Sequence, residues 1–302
     1  MSTETVAPAM PEGRRPTPRP EHVEPRMIRR EDALHHVWGD QEAGYVTDRV
    51  LSSTRRLHVL EYELPPGGEF RHSDSNRTVF GADVVYMVVA GKMIIADPSC
   101  GEVHTLDTGQ GVLMRAGTWH NAFNPYRETV RVVEYFCPPP ALGAASDFAR
   151  RQEPLAETTY RDTRWEGRWP DARDEEFAAR RLTLVCFENG LLEFRDDKAT
   201  HLRSTLTSTE YLQLVSGEVH PGHVEEFAPV THESVVVVTE GELWVDVWSV
   251  EGGYSATNVL RAGDAMFLPV GTHERMLVRA AETARYLLGR GTVPDGWTPD
   301  DL

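Results

Sequence analysis

His120 and Asn124 close the stretch GQGVLMRAGTWHNAFN (109–124), and His273 lies near the end of a similar stretch, GDAMFLPVGTHERM (263–276). An imidazole in such a setting can move protons near neutral pH or bind a transition metal through nitrogen. Both stretches belong to a longer repeat. VVYMVVAGKM (84–93) matches VVVVTEGELW (235–244), and LPPGG (64–68) faces VHPGH (219–223). Gly91 and Gly241 are 150 residues apart, while Gly109 with Gly263 and Gly117 with Gly271 are 154 apart. Landmarks kept in the same order mean that one β unit was duplicated, so each chemical side chain can be judged against its counterpart. Other chemistries lack their residues: there is no phosphate loop, no G-x-G-x-x-G and no G-x-S-x-G. Cys100, Cys137 and Cys186 are odd in number and far apart, which excludes a disulfide framework or a zinc knuckle. Cys137 has no histidine in sequence reach to make it a nucleophile.

The elements that must position these residues are strands. LHVLEYEL (57–64), DVVYMVVAG (83–91), KMIIAD (92–97), EVHTL (102–106), GVLMRAG (111–117) and VRVVEYF (130–136) are short and rich in Val, Ile and aromatics. The pattern returns after residue 181 with LTLVCFENGLLEF, TEYLQLVSGEV and VVVVTEGELWVDVWSV. PSCGE (98–102) and ENG (188–190) read as hairpin turns. Evenly spaced short strands imply an all-β sandwich or barrel. REDALHHVW (30–38) reads as one short helix, on which His35 and His36 point about 100° apart and make a poor ligand pair. His104 reads as a surface strand residue. The chain divides into an N-terminal arm (1–26) with six prolines, a first β unit (27–140), a partly helical connection (141–180), a second β unit (181–290) and a tail (291–302). Trp165 and Trp169 suggest that the connection packs on a barrel.

A chain of 302 residues, 40% of them apolar, is long enough to fill two cores. Its net charge of −16 argues against a nucleic-acid partner. No apolar run of membrane-spanning length and no secretory leader is visible, so the expected compartment is the cytoplasm. The open edges of β sheets make a homodimer the expected assembly.

The stretch 109–124 resembles the second motif of the cupin superfamily, G-x5-P-x-G-x2-H-x3-N, through Gly109, Gly117, His120 and Asn124, with Arg115 in the proline position. The second copy matches up to Pro269 and Gly271, but its histidine, His273, comes one residue early and no asparagine follows. Gly91 and Gly241 look like the end of the first cupin motif, G-x5-H-x-H-x3–4-E-x6-G. The resemblance covers most of 56–136 and 181–290. It implies two tandem jelly-roll barrels, a bicupin, with ligands projecting into a barrel from alternate strand positions.

Mapped onto the first copy, the family's ligands become His72, Asp74 (H-x-D in place of H-x-H), Asp83 and His120. Asp83 lies one residue before the glutamate position and needs a bulge to reach the interior. Five extra residues, within SNRTVFGA, separate this copy's two landmarks. The second copy reads as degenerate: Ala228, Pro229 and Val230 occupy the H-x-H region and Ser234 the glutamate position, with His223, His232, Glu233 and His273 nearby. Its expected role is structural. Tyr86 is a candidate for orienting substrate or donating a proton, provided that it enters the barrel, and Arg115 for clamping an anionic substrate. Such a site suits one divalent transition metal, Fe(II) first, with Zn, Mn or Ni as alternatives, and a small organic substrate. The resemblance favours a dioxygenase-type enzyme. A non-redox isomerase, lyase, decarboxylase or cyclase and a non-catalytic ligand-binding protein remain alternatives.

Overall fold

The computed structural model describes residues 19–140, 144–161, 180–249 and 253–294. The first half contributes β1 (Arg26–Ile28), β2 (Leu34–Asp40), β3 (Gly44–Ser53), β4 (His58–Leu64), β5 (Glu69–Phe70), β6 (Asp83–Ala90), β7 (Lys92–Asp97), β8 (Glu102–Asp107), β9 (Gln110–Met114), β10 (Asn121–Phe123) and β11 (Val130–Cys137). One helix, α1 (Ala144–Arg151), follows. The second half contributes β12 (Leu182–Cys186), β13 (Leu191–Phe194), β14 (His201–Ser208), β15 (Leu212–Val219), β16 (Ala228–Pro229), β17 (Ser234–Glu240), β18 (Glu242–Ser249), β19 (Tyr254–Arg261), β20 (Ala265–Leu268), β21 (His273–Leu277) and β22 (Ala284–Gly291).

Each half is a two-sheet antiparallel jelly roll. The first pairs the sheet β12-β9-β6-β11-β4-β3-β2 with β5-β10-β7-β8, and the second pairs β1-β20-β17-β22-β15-β14-β13 with β16-β21-β18-β19. The halves exchange edge strands. β1 pairs with β20 of the C-terminal barrel, and β12 pairs with β9 of the N-terminal barrel. Covering an edge in this way satisfies backbone groups that would otherwise invite aggregation.

The two large sheets also pack on each other, so their central strands are buried on both faces. On β6, Val84, Tyr86 and Val88 face the N-terminal barrel core, and Val85 and Met87 face the core between the barrels. On β17, Val236 and Val238 fill the C-terminal barrel, while Val235 and Val237 face its neighbour. Burial on both faces explains why these strands read as unbroken apolar runs. Tyr135 is fully buried in the core between the barrels, and its hydroxyl donates to the Leu287 carbonyl (3.3 Å).

Three local expectations change. Residues 30–38 do not form a helix. A 3-10 turn spans Arg30–Asp32, and β2 then pairs with β3, setting His35 opposite Arg49 and His36 opposite Asp48. The hairpin is closed by Asp40, whose Oδ1 accepts from the Glu42 and Ala43 amides, a turn preference that overrides weak helical propensity. ENG is not a hairpin: a 3-10 turn at Phe187–Asn189 carries the chain from β12 in one barrel to β13 in the other. His104 is largely covered, with Nε2 2.7 Å from Glu102 Oε1. PSCGE does turn between β7 and β8, and α1 falls in the connection. Trp165, Trp169 and residues 1–18 lie outside the described residues. Among the described residues no helix is long and apolar enough to cross a membrane.

The N-terminal barrel buries two imidazoles that stay neutral. Desolvation pushes His58 down to about 3, helped by His36 and Arg19, and pushes His120 down to about 4. An unfolded imidazole keeps its ordinary value near 6.5, so as the pH falls the unfolded chain takes up these protons first. The stability that each contributes is complete above pH 6.5 and is lost on the way down through its folded value. His58→Phe is therefore expected to flatten the acid dependence of unfolding by about 1.4 kcal/mol per pH unit between pH 5.5 and 4. Urea unfolding across that range measures it, and equal slopes in both proteins would contradict the burial of a neutral His58.

Candidate metal centre

The four residues mapped onto the first copy do not converge. His120 does enter the barrel, fully buried, with Nε2 3.0 Å from the Tyr86 hydroxyl and Nδ1 3.3 Å from the Thr118 carbonyl. His72 is half-buried, its ring edge-on to Trp119 at 5.1 Å, and Asp74 is exposed. Asp83 is fully buried but on the wrong face, beside Val85 and Met87. Its Oδ1 accepts from Arg115 Nε (2.9 Å) and from the Ala116 amide (3.3 Å). The bulge needed to turn Asp83 inward is absent from that end of β6. Pairing with β11 is regular from Asp83 to Val88, and the register shifts only beyond it, between Arg131 and Val132. Arg115 also lies outside the barrel, bridging Asp83 and Glu210 of the second half (2.5 Å). It ties the barrels together and does not reach the interior. Tyr86 points inward, as its parity with Val84 requires.

Among the described residues one group of metal-ligating side chains gathers, and it lies in the second copy. His201, His223 and Glu225 place a ligand atom each within 4.8 Å of one another. His201 opens β14, and His223 and Glu225 follow the turn after β15. Their i, i+2 spacing sends both side chains the same way along an extended segment. His223 Nδ1 lies 3.0 Å from Asp196 Oδ2 and 2.8 Å from Thr200 Oγ1. Its Nε2 is buried with no hydrogen-bond partner, 3.7 Å from Glu225 Oε2. An imidazole whose outer nitrogen is held by a carboxylate while the inner one stays free is the arrangement that metal-binding histidines use. His201 Nδ1 lies 3.2 Å from Glu225 Oε2, and its Nε2 lies 2.8 Å from the Tyr286 hydroxyl.

The surroundings hold these groups in ligand form. Desolvation keeps the His201 pKa below its ordinary value. Burial opposes the charge on Glu225, but the bond to His201 and the Arg203 guanidinium outweigh it, so its carboxyl sits below the usual range. Asp196 is pulled down to about 2, chiefly by its bond from the Thr200 hydroxyl, and is a firm anionic partner for His223. Arg203 Nε donates to the Tyr286 hydroxyl (2.7 Å), and burial pushes that phenol up to about 12. Gly217 makes this possible, because a Cβ there would lie 2.3 Å from the Tyr286 ring. Glu274 is buried, with Oε2 unpartnered, and desolvation plus the nearby Glu225 charge raise it to about 7. Asp196→Ala is expected to weaken metal affinity by roughly 10–100-fold, the usual cost of losing such an outer partner. Titration against a competing chelator measures this, and unchanged affinity would show that Asp196 does not orient His223.

The two copies correspond position by position. Counting from the paired turn glycines Gly67 and Gly222, Gly68 corresponds to His223 and Phe70 to Glu225. Asp48 and Tyr62 pair as Arg203 and Gly217 do, so Val46 corresponds to His201. Counting from Gly117 and Gly271, His120 corresponds to Glu274. The second copy does depart from the cupin pattern, yet it holds the ligand-type residues. The first copy keeps the motif histidine and has lost its companions. H-x-E directly after the HPG turn was the visible signal. His201, on another strand 22 residues before His223, had none.

No family model matches the chain, and no curated protein matches its sequence. Solved structures do match. A protein described as glyoxylate-induced from Pseudomonas aeruginosa is 15% identical over 98% of this chain and 99% of its own, with a TM-score of 0.63. Oxalate decarboxylase of Lactobacillus farciminis, in a formate complex, is 12% identical over 89% of this chain and 86% of its own, with a TM-score of 0.59. Procruciferin, the 11S globulin of Brassica napus, is 13% identical over 89% and 85%, with a TM-score of 0.59. The chain has the bicupin fold: two tandem cupin barrels. An enzyme and a globulin share that fold, which by itself fixes no function.

Proposed function

We propose that this protein is a metal-dependent bicupin enzyme acting on a small organic acid, of dioxygenase type, with its centre in the C-terminal barrel. One observation carries the reading: two histidines and one carboxylate converge, and His223 Nε2 is buried with nothing to bind. A two-histidine, one-carboxylate set suits Fe(II) foremost, or Mn(II). Such a metal, when bound, supplies Lewis acidity and open positions for substrate and oxygen.

The chain's own residues supply the rest. Arg203 Nη2 is buried without a hydrogen bond, 3.8 Å from Glu225 Oε1, which supports it as the partner of a substrate carboxylate. Arg290, in the same interior, donates to Gln213 (2.7 Å) and adds positive charge. Tyr286 remains a phenol at neutral pH, so its hydroxyl orients His201 and does not compete as an anion. The apolar walls, Val219, Val236, Leu243 and Met276 among them, exclude bulk water. A structural neighbour named as a decarboxylase and solved with formate is consistent with a small carboxylate substrate.

Glu274 favours a second reading. A buried carboxyl raised to about 7 can hand a proton to a substrate carbon, as a non-redox lyase or decarboxylase requires. Oxygen-electrode assays of Fe(II)-loaded protein against a panel of small carboxylic acids separate the two. Oxygen uptake in step with substrate loss is expected. Equal turnover without oxygen would establish the non-redox reading. No turnover with Fe(II), Mn(II) or Zn(II) would leave a ligand-binding protein.

A further inference from the structure

The interior of the N-terminal barrel holds acidic and aromatic groups that the metal centre does not use. Glu134 faces inward from β11, directly across from Tyr86. One pair along the same face, His58 lies opposite Phe136, and one pair the other way, Asp48 lies opposite Tyr62. His58 is fully buried, and neither of its ring nitrogens has a hydrogen-bond partner. Among the described residues no hydrogen bond or ion pair reaches Glu134, and the charge acting on it is the like charge of Asp48. Asp48 itself is bound by His36 Nδ1 (3.0 Å). The groups whose charge acts on His58 are His36, which is held by Asp48, and Arg19, which is paired with Glu21. Buried polar groups almost always find partners, in protein or water, so His58 and Glu134 have hydrogen-bonding capacity to offer a group from outside the chain.

We propose that the N-terminal barrel is a second, metal-free site that binds a small primary ammonium ion. The ammonium has three N–H donors. The Glu134 carboxylate and the unpartnered lone pair of His58 accept from it, and the faces of Tyr62, Tyr86 and Phe136 attract its charge. The same groups select against the alternatives. An anion would face Asp48, whose one cationic partner among the described residues is His36, and neither an anion nor a neutral alcohol carries the positive charge that holds the Glu134 carboxyl in its ionised form. The positions that hold ligands in the other barrel are Val46, Gly68 and Phe70 here, which leaves the metal-binding geometry absent from this one. The two barrels thus select opposite charges, a carboxylate beside Arg203 and an ammonium beside Glu134.

Burial pushes the Glu134 carboxyl well above its usual range, with Asp48 adding to the effect, which favours its neutral form when the site is empty. An arriving cation reverses this, and the carboxyl gives up its proton. Calorimetric titration of the metal-loaded full chain with methylammonium and benzylammonium chloride tests the site, with benzyl alcohol and benzoate as neutral and anionic counterparts. At least one ammonium is expected to bind saturably and release a proton, visible as a binding enthalpy that changes with the buffer. The alcohol and benzoate should bind at least tenfold more weakly. Glu134→Gln should weaken ammonium binding at least tenfold and abolish proton release, and His58→Phe, a second variant of similar shape, should weaken it likewise. Glu225→Ala should leave ammonium binding intact, which separates this site from the metal centre. No saturable binding of either ammonium, equal binding of the alcohol, or a structure from the ammonium-soaked crystal with only ordered water on His58 and Glu134 would overturn the proposal.

Discussion

Glu225→Ala and His223→Ala are each expected to strip the protein of its metal, lowering affinity by more than the roughly 100-fold that marks the upper range for outer partners. His72→Ala and His120→Ala should keep it. The asymmetry follows from geometry. Glu225 and His223 contribute ligand atoms to one cluster within 4.8 Å, while His72 lies against Trp119 and His120 against Tyr86. Elemental analysis of the four variants, purified without a histidine tag, gives the answer. Metal lost in His120→Ala and kept in Glu225→Ala would return the centre to the N-terminal barrel.

Tyr135→Ala is expected to cost about 3–5 kcal/mol of stability, the range for removing a buried aromatic side chain. Tyr135 is wholly buried between the barrels, and its ring fills the space over Gly289, where a Cβ would lie 2.1 Å from it. Tyr135→Phe removes only the hydroxyl bond to the Leu287 carbonyl and should cost about 1 kcal/mol. Urea unfolding of both variants measures the difference. A loss below about 1 kcal/mol for Tyr135→Ala would mean that the barrels do not depend on this contact. The same contact bears on function, because β22 carries both Leu287, under the Tyr135 hydroxyl, and Tyr286, which holds His201.

The fold was legible because its turns leave a strong local mark. Gly91 and Gly241 adopt φ of 78° and 74°, where a side chain is strained, so the duplicated turns stay readable between diverged strands. The site was less legible. On β6 both faces are apolar and buried, so the sequence did not say that Val84 and Tyr86 face the barrel while Asp83 faces its neighbour. Ala228–Val230 stand at the family's distance before the strand glycine of the second copy, whereas His223 and Glu225 follow directly on the HPG turn. His201 reaches the cluster only through the pairing of β14 with β15, a long-range register that no motif records. Asp196 and Tyr286 are likewise far from it in sequence and are joined to it by the fold alone.

Anomalous diffraction at the absorption edge of the bound metal, from crystals of the loaded protein, locates the centre without reference to activity. A single peak between His201, His223 and Glu225, with density continuing to all three side chains, is the expected result. A peak beside His120 and His72, or none in the C-terminal barrel of fully loaded protein, would contradict the assignment.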